Sequence, residues 1–239
     1  MTGAARGIGR AVALAVAGAG GLVFAIDVRP EELEETGALL GPGHVGEVFD
    51  LTQTNRLASL CHDVEARLGP LDALAHVAGV IRRRDDVLDV TEEEFDEQVA
   101  VNLKATFFLD IEVARTMRRS GRPGSIVNFS SQGWWTGGFG GSTVHAATKG
   151  GVVSLTRGLA RTFAKDGIRV NAVAPGAVDT AMMHEGQTGD ALARFIEQIP
   201  MGRMAETDEV AQAVLFLLSP ASSYVTGATL NVSGGQLAY

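Results

Sequence analysis

The stretch Thr2-Gly3-Ala4-Ala5-Arg6-Gly7-Ile8-Gly9 runs straight into a helical pattern, Arg10 to Ala19. A β-rich run, Gly21 to Asp27, follows and ends on an acid. Three glycines at this spacing let a backbone turn tightly and approach a pyrophosphate, which then rests on a helix N-terminus. In a chain of 239 residues with 30 glycines, spaced glycines also arise by chance. Asp27 strengthens the reading, because an acid about 20 residues beyond such a loop hydrogen-bonds ribose hydroxyls and repels a 2′-phosphate. It favours NAD over NADP, while Arg6 and Arg29 are placed to bind that phosphate and keep NADP open. The alternative is that Asp27 is only a turn residue at a strand end.

Working outward, five more strand-like runs follow: His44 to Phe49, Leu71 to Val77, Ser125 to Phe129, Ile168 to Ala174 and Ala228 to Val232. Continuous apolar runs of this length read as strands buried on both faces of a parallel sheet. Helical patterns lie between them. One starts at Thr91-Glu92-Glu93-Glu94, with Thr91 or Asp89 as cap, and runs past Asn102 toward Arg119. Others cover His145 to Lys165 and Thr207 to the residues before Pro220, and Cys61 sits in a further helical pattern. The alternation predicts an α/β fold with a Rossmann-type doubly wound parallel sheet in a single domain, residues 1–239. The loosest stretch, Thr180 to Met204, contains Gly186, Gly189, Pro200 and Gly202 and reads as a substrate lid.

The strand that should precede the glycine loop has little room, since only Met1 and Thr2 stand before Gly3. A doubly wound sheet places that strand at its centre, where unpaired N–H and C=O groups cost about 1–3 kcal/mol each. The expectation is a first strand that is missing or truncated, with the natural protein starting several residues upstream on a Val/Ile-rich segment.

Composition excludes several function classes. The balance of 20 Lys+Arg against 28 Asp+Glu leaves a formal charge of −8, which gives no support to nucleic-acid or anionic-membrane binding. One cysteine, Cys61, excludes an intrachain disulfide. The longest apolar runs, such as Val214 to Leu218, are far short of a membrane span. Met1-Thr2-Gly3 does not begin a secretory signal, so a soluble cytoplasmic protein is expected. The five histidines (His44, His62, His76, His145, His184) lack metal-ligand spacing, and no catalytic metal is expected. The Gly-x-Ser-x-Gly elbow of serine hydrolases is absent around Ser131.

Taken together, the motifs resemble the short-chain dehydrogenase/reductases over nearly the whole chain. The matching residues are the Thr2 to Gly9 loop, Asp27, Asp50 at the end of the next strand, Ala78-Gly79, Asn102 in Val101-Asn102-Leu103, Ser130-Ser131, Lys149, Pro175-Gly176 with Thr180, and Gly227 with Ser233-Gly234-Gly235. The resemblance implies hydride transfer between a nicotinamide and an alcohol or ketone. It implies that Gly3, Arg6, Gly7, Ile8 and Gly9 hold the pyrophosphate, that Asp50 and Leu51 meet the adenine, and that Ala78-Gly79 pass close to the ribose. It further implies that Pro175, Gly176, Val178 and Thr180 fix the carboxamide. Ser131 would orient the substrate oxygen, Asn102 would anchor a relay water, and Lys149 would hold the nicotinamide ribose and lower a neighbouring pKa. Such proteins form dimers or tetramers, and the small residues Ala146, Ala147, Gly150 and Gly151 suit close helix–helix approach.

Two positions depart from the family pattern. His76-Val77 stands where Asn-Asn is expected, which costs a polar contact. The family's catalytic tyrosine lies four residues before the lysine, on the same helix face, and here that residue is His145. The chain's two tyrosines, Tyr224 and Tyr239, lie elsewhere. Imidazole titrates near pH 6.5, and Lys149 would hold it neutral and able to act as a base. Its Nε2 ends about 2 Å short of a phenol oxygen, and misplacement of about 1 Å can cost about 10²-fold in rate. Three readings stay open: a working histidine variant, an NAD-binding pseudoenzyme with a regulatory or assembly role, or an introduced Tyr→His change or sequence error.

On the substrate side, Trp134 and Trp135, with Phe139, stand beside the expected reaction site and are able to stack on a sugar ring or acyl chain, or else pack against a subunit or lid. Ala78-Gly79-Val80-Ile81-Arg82-Arg83 is similar to the segment of sugar-acid dehydrogenases acting on gluconate-type or deoxygluconate-type substrates, so Arg83 is a candidate to pair with a carboxylate. The alternative is a solvated run balanced by Asp85 and Asp86. The 3-oxoacyl-carrier-protein reductases share the same general motifs.

Overall fold

The structure, a computed structural model, describes residues 1–138, 141–184 and 189–237. Phe139, Tyr239 and residues 185–188 of the proposed lid lie outside the described residues. In chain order the elements are α1 (Gly7–Gly18), β1 (Phe24–Asp27), α2 (Pro30–Leu40), β2 (Val45–Val48), α3 (Leu57–Leu68) and β3 (Ala73–His76). Then follow α4 (Glu92–Val99), α5 (Ala105–Ser120), β4 (Gly124–Phe129), α6 (Gly133–Thr136), α7 (Thr143–Phe163), β5 (Ile168–Pro175), α8 (Ala181–His184), α9 (Gly189–Ile196), α10 (Thr207–Leu218) and β6 (Thr229–Val232).

β1 pairs in parallel with β2, and β3, β4, β5 and β6 form a second parallel ladder in that order. Two residues join the halves. Thr2 pairs in parallel with both Ile26 and His76. Its N–H donates to the Ala75 carbonyl at 3.1 Å, and the Met1 carbonyl accepts from Ile26 at 2.9 Å. The Met1 amino group donates to the Phe24 carbonyl at 3.0 Å. Met1–Thr2 therefore occupy the central position between β1 and β3, and the sheet around them keeps the Rossmann-type order.

Successive residues of β4 face opposite sides and bury two helical layers. Ile126 packs with Leu57 and Leu60 of α3, Leu109, Val113 and Met117 of α5, and Phe163 of α7. Val127 packs with Val12 of α1 and with Val210, Val214 and Leu217 of α10.

The helix starting at Thr91 carries the expected capping box. Thr91 Oγ1 accepts from the Glu94 N–H at 3.3 Å, and Glu94 Oε2 accepts from the Thr91 N–H at 3.3 Å. Thr91, not Asp89, is the cap. The helix does not run unbroken to Arg119, because a π-helical turn, Ala100–Lys104, separates α4 from α5. Such a turn inserts one residue into the helical period and often marks a functional site. Asn102 lies in it. Among the described residues, no helix is long and apolar enough to cross a membrane.

Candidate active site

The C-terminal ends of the strands open into one cavity of about 550 Å³, the place where doubly wound sheets bind ligands. Gly3, Arg6, Gly7, Ile8 and Gly9 line one end of it. Gly3 has φ +65°, and a Cβ there would lie 2.8 Å from the Ala78 nitrogen. A Cβ on Gly9 would overlap the Gly3 carbonyl oxygen. The loop thus folds onto itself at positions where only glycine fits, and α1 begins directly behind it.

Asp27 is buried at the rim of the same end. Its Oδ2 accepts from the Ala5 N–H at 3.0 Å, and its Oδ1 accepts from Val28 at 2.8 Å and Arg29 at 3.2 Å. Arg29 Nη1 lies 3.6 Å from Oδ1. Asp27 therefore closes its own turn, ties β1 to the glycine loop and lines the cavity. Asp50 and Leu51 line it as well, with Asp50 Oδ1 accepting from the Thr52 N–H at 2.9 Å. A glycine cradle with no room for a Cβ at Gly3 or Gly9, a helix N-terminus behind it and a carboxylate at the rim fit the diphosphate and ribose of a dinucleotide.

At the other end stand Ser131, His145, Lys149, Pro175, Gly176, Val178 and Thr180, with Ala78 and Gly79 between the two ends. Ser131 follows β4, and its Oγ accepts from the Gly133 N–H at 3.2 Å. His145 and Lys149 are one turn apart on α7. Lys149 Nζ donates to the Phe129 carbonyl at 2.8 Å, and burial pushes its pKa down to about 8. His145 is pushed down to about 3, first by burial and then by the Lys149 and Arg83 charges. The imidazole is neutral, as expected, but burial contributes more than the lysine.

Asn102 does not reach the cavity wall. Its Oδ1 accepts from the Val80 N–H at 2.8 Å, and its Nδ2 donates to the Val80 carbonyl at 2.8 Å and to Thr148 Oγ1 at 3.2 Å. A Cβ on Gly79 would lie 3.2 Å from Asn102 Oδ1 and 3.3 Å from Lys149 Nζ. Gly79 thus sits between the two side chains, and Asn102 braces the loop from behind.

His76 makes a polar contact of its own in place of the expected asparagine's. The Ala78 N–H donates to Thr2 Oγ1 at 3.2 Å, and Thr2 Oγ1 lies 2.9 Å from His76 Nδ1. Burial, then the Lys149 and N-terminal charges, push this imidazole down to about 3, so it is neutral.

The arginine run divides. Arg82 Nε donates to Glu97 Oε2 at 2.7 Å, and Arg84 Nε donates to Glu94 Oε2 at 3.1 Å. The acids of α4, not Asp85 and Asp86, balance the outer pair. Arg83 between them lines the cavity, and its Nη1 donates to the Met182 carbonyl at 3.0 Å. Trp134 and Trp135 are not in the cavity wall. They stack edge-to-face on α6 at 5.3 Å, with Arg157 over Trp134 at 5.9 Å and Trp135 exposed. Sequence reasoning missed Gln132, Ser142 and Phe195, which do line the cavity. Gln132 was open to detection through its place next to Ser131; the others carry no local signal.

The comparisons agree with this architecture. The family model described as Enoyl-(Acyl carrier protein) reductase matches residues 3–236. The chain is 36% identical over 246 residues to the (3R)-3-hydroxyacyl-CoA dehydrogenase of Homo sapiens, covering 98% of this chain and 93% of that protein. It is 35% identical over 237 residues to the 3-oxoacyl-acyl-carrier-protein reductase FabG of Escherichia coli, covering 99% and 95%. An uncharacterized short-chain type dehydrogenase/reductase of Sinorhizobium fredii is 37% identical over 240 residues, but the chain spans only 43% of that protein's length. The fold is similar to that of levodione reductase, with a TM-score of 0.92 and 33% identity over 98% of this chain and 95% of that one. The chain belongs to the short-chain dehydrogenase/reductase family. It has the Rossmann-type fold of these oxidoreductases, which transfer hydride with a nicotinamide cofactor.

Proposed function

We propose that this chain is an NAD(H)-dependent enzyme that oxidises a hydroxyl or reduces a keto group of a small substrate, with His145 in the place of the family's tyrosine. One observation carries the reading: the glycine loop with Asp27 and the group Ser131, His145 and Lys149 line a single continuous cavity. When bound, the nicotinamide gives or takes the hydride. Gly3, Arg6, Gly7, Ile8 and Gly9 would hold the diphosphate, Asp27 the ribose, and Asp50 and Leu51 the adenine side. Val178, Thr180 and the Pro175–Gly176 backbone would hold the carboxamide. The acid at position 27 favours NAD; NADP, with Arg6 and Arg29 as phosphate partners, is the lesser fit.

The chain's own groups divide the remaining work. Ser131 Oγ already accepts from the Gly133 N–H, which leaves its proton for the substrate oxygen. His145, neutral, takes a proton from an alcohol at a ring nitrogen. Lys149 keeps one N–H on the Phe129 carbonyl and has two left for the ribose and the site's proton supply. Asn102 positions the Val80 backbone behind Gly79. Arg83 in the wall suits a carboxylated, sugar-acid-type substrate. A 3-oxoacyl thioester is the runner-up: one relative's name gives 3-oxoacyl-acyl-carrier-protein and another's gives 3-hydroxyacyl-CoA. Met182, Met183 and Phe195 in the wall support residues 180–204 as the lid. A cytoplasmic homodimer or homotetramer completes the reading.

One observation favours a second reading, an NAD-binding pseudoenzyme with a regulatory or assembly role: the His145 imidazole, held near pKa 3, is a weak proton carrier. NADH fluorescence titration combined with a turnover screen over sugar acids and 3-oxoacyl compounds separates the two, run on the wild type and on His145→Tyr. Turnover by the wild type supports the enzyme, and a drop in His145→Tyr marks His145 as an adapted catalyst. Binding without turnover in both proteins supports the second reading, and absence of NADH binding sinks both.

A further inference from the structure

Gln132 follows Ser131 at the entrance to α6. Its backbone is held on both sides. The N–H donates to the Pro175 carbonyl at 2.9 Å, and the carbonyl accepts from Trp135 at 3.2 Å and Thr136 at 3.4 Å. The residue is only 8% exposed and lines the cavity. Its Oε1 would lie 3.4 Å from a Cβ placed on Gly176. The carboxamide therefore lies at the reaction end, between Ser131 and the Pro175–Gly176 turn.

Among the described residues this carboxamide makes no hydrogen bond; the Gln236 carboxamide is also unpartnered, but it does not line the cavity, and two other buried amides are paired. Gln98 both accepts, from the Arg82 N–H at 3.2 Å, and donates, to the Glu94 carbonyl at 3.1 Å. Asn171 accepts from Ala228 and donates to Val225. A primary amide offers an acceptor oxygen and two N–H donors, and proteins pair such groups when they leave bulk water. Its neighbours have other partners: Lys149 holds Phe129, and Ser131 holds Gly133. Gln132 brings to the reaction end a rigidly based, neutral donor–acceptor pair that nothing in the fold uses.

We propose that Gln132 sets substrate specificity: its carboxamide hydrogen-bonds a second oxygen, hydroxyl or keto, on the substrate atom next to the reacting carbon. The site then selects vicinally oxygenated compounds, such as hydroxyketones, diols and polyhydroxy acids, over plain alcohols and ketones. This rests on the dehydrogenase/reductase reading for its reaction, but the recognition itself is a binding property.

The test compares 2-hydroxycyclohexanone with cyclohexanone, and cis-1,2-cyclohexanediol with cyclohexanol, in the wild type, Gln132→Met and Gln132→Glu. Two readouts run in parallel: kcat/KM, and the dissociation constant from tryptophan fluorescence in the presence of NADH or NAD. A site built to hydrogen-bond a substrate group discriminates against the analogue lacking it, and one neutral polar group left unpaired corresponds to about 10–100-fold. The wild type is expected to prefer the hydroxylated member by that factor. Gln132→Met, of similar length, should lose the preference by weakening on that member alone. Gln132→Glu should retain it for the diol, whose hydroxyl donates. Preference in binding without any turnover would sink the dehydrogenase reading and leave the Gln132 assignment standing. Absence of preference in the wild type, an unchanged preference in Gln132→Met, or equal losses on both members of a pair would overturn the assignment, the last marking Gln132 as a brace for the Pro175 turn.

Discussion

Lys149 Nζ lies 2.8 Å from the carbonyl oxygen of Phe129, and this bond fixes the ammonium at the end of β4, one helical turn from His145. Burial holds Lys149 near pKa 8, while burial and two cations hold His145 near 3. Across neutral pH the imidazole is uncharged, and the lysine carries the site's exchangeable proton. Ketone reduction, which consumes a proton, is therefore expected to be flat between pH 5 and 7. Above pH 8 it should fall about tenfold per unit as the ammonium deprotonates. A pH profile of kcat/KM checks this, and an inflection near pH 6.5 would show that His145 titrates as an ordinary imidazole and is not held neutral by burial.

Asp110 on α5 and Asn128 on β4 form a buried pair, with Asn128 Nδ2 donating to Asp110 Oδ2 at 2.7 Å. Burial pushes the carboxyl from 3.8 up to about 7, outweighing the lowering by Asn128. The folded chain thus binds a proton that the unfolded chain has released. The resulting stability is fully present below about pH 4 and is lost as pH rises through about 7. Asp110→Asn keeps the shape and cannot ionise. Relative to the wild type, its stability should rise by about 1.4 kcal/mol per pH unit across that window. Urea denaturation at pH 5 and pH 7 measures the difference, and parallel behaviour of the two proteins would contradict it.

Gly9→Ala drives a methyl group into the Gly3 carbonyl oxygen, a backbone atom that cannot rotate away. The loop must open, and with it the cradle at the start of α1. The expected outcome is a loss of about 2–4 kcal/mol in stability and NADH binding weakened at least about 100-fold. Gly79→Ala meets side-chain atoms at 3.2 and 3.3 Å and backbone no nearer than the Val77 carbonyl oxygen at 3.9 Å, and should fold normally with a smaller binding loss. Equal effects of the two changes would refute the distinction.

Arg169 closes the end of α10. Its Nη1 donates to the Leu217 carbonyl and to Ser222 Oγ, each at 2.9 Å, and its Nη2 to the Ser219 carbonyl at 3.2 Å. The Leu217 carbonyl is one that a helix end leaves without a backbone donor, and the Ser125 and Ser222 hydroxyls also donate to it. Arg169→Met is expected to cost about 2–4 kcal/mol. Arg169→Lys should recover less than half of that, because an ammonium cannot match the planar fork. Thermal and urea unfolding decide it, and full rescue by lysine would assign the effect to charge alone.

The parts legible in the sequence are those whose physics is local. β1, β4 and β5 are buried on both faces and so read as largely apolar runs, whereas β2 (Val45–Val48) alternates half-buried and exposed residues and β6 (Thr229–Val232) is half-buried, against the expectation of burial on both faces. The Thr91–Glu94 box announces its helix by residue type alone. α2 shows no such pattern: Leu33 and Thr36 are its only buried residues, and the helix is marked mainly by Pro30 in its first turn. The π turn at Asn102 is invisible to a 3.6-residue period, which is why a single helix was expected there. Trp134 and Trp135 are near Ser131 along the chain, but α6 turns them away from the cavity.

By itself, the sequence determined the Rossmann-type class, the glycine cradle with its acid at position 27, and the histidine one turn before Lys149. Each depends on the identity and spacing of a few residues, which the chain carries in one dimension. Only the tertiary structure decided that Met1–Thr2 bridge the sheet, that Arg83 of three arginines enters the cavity, and that Gln132 lies there with its amide unused. It also decided the charge states of His145, Lys149 and Asp110. Those outcomes are set by desolvation and by distances between remote segments, and both arise only when α4, α5, α7 and the strand ends have packed together.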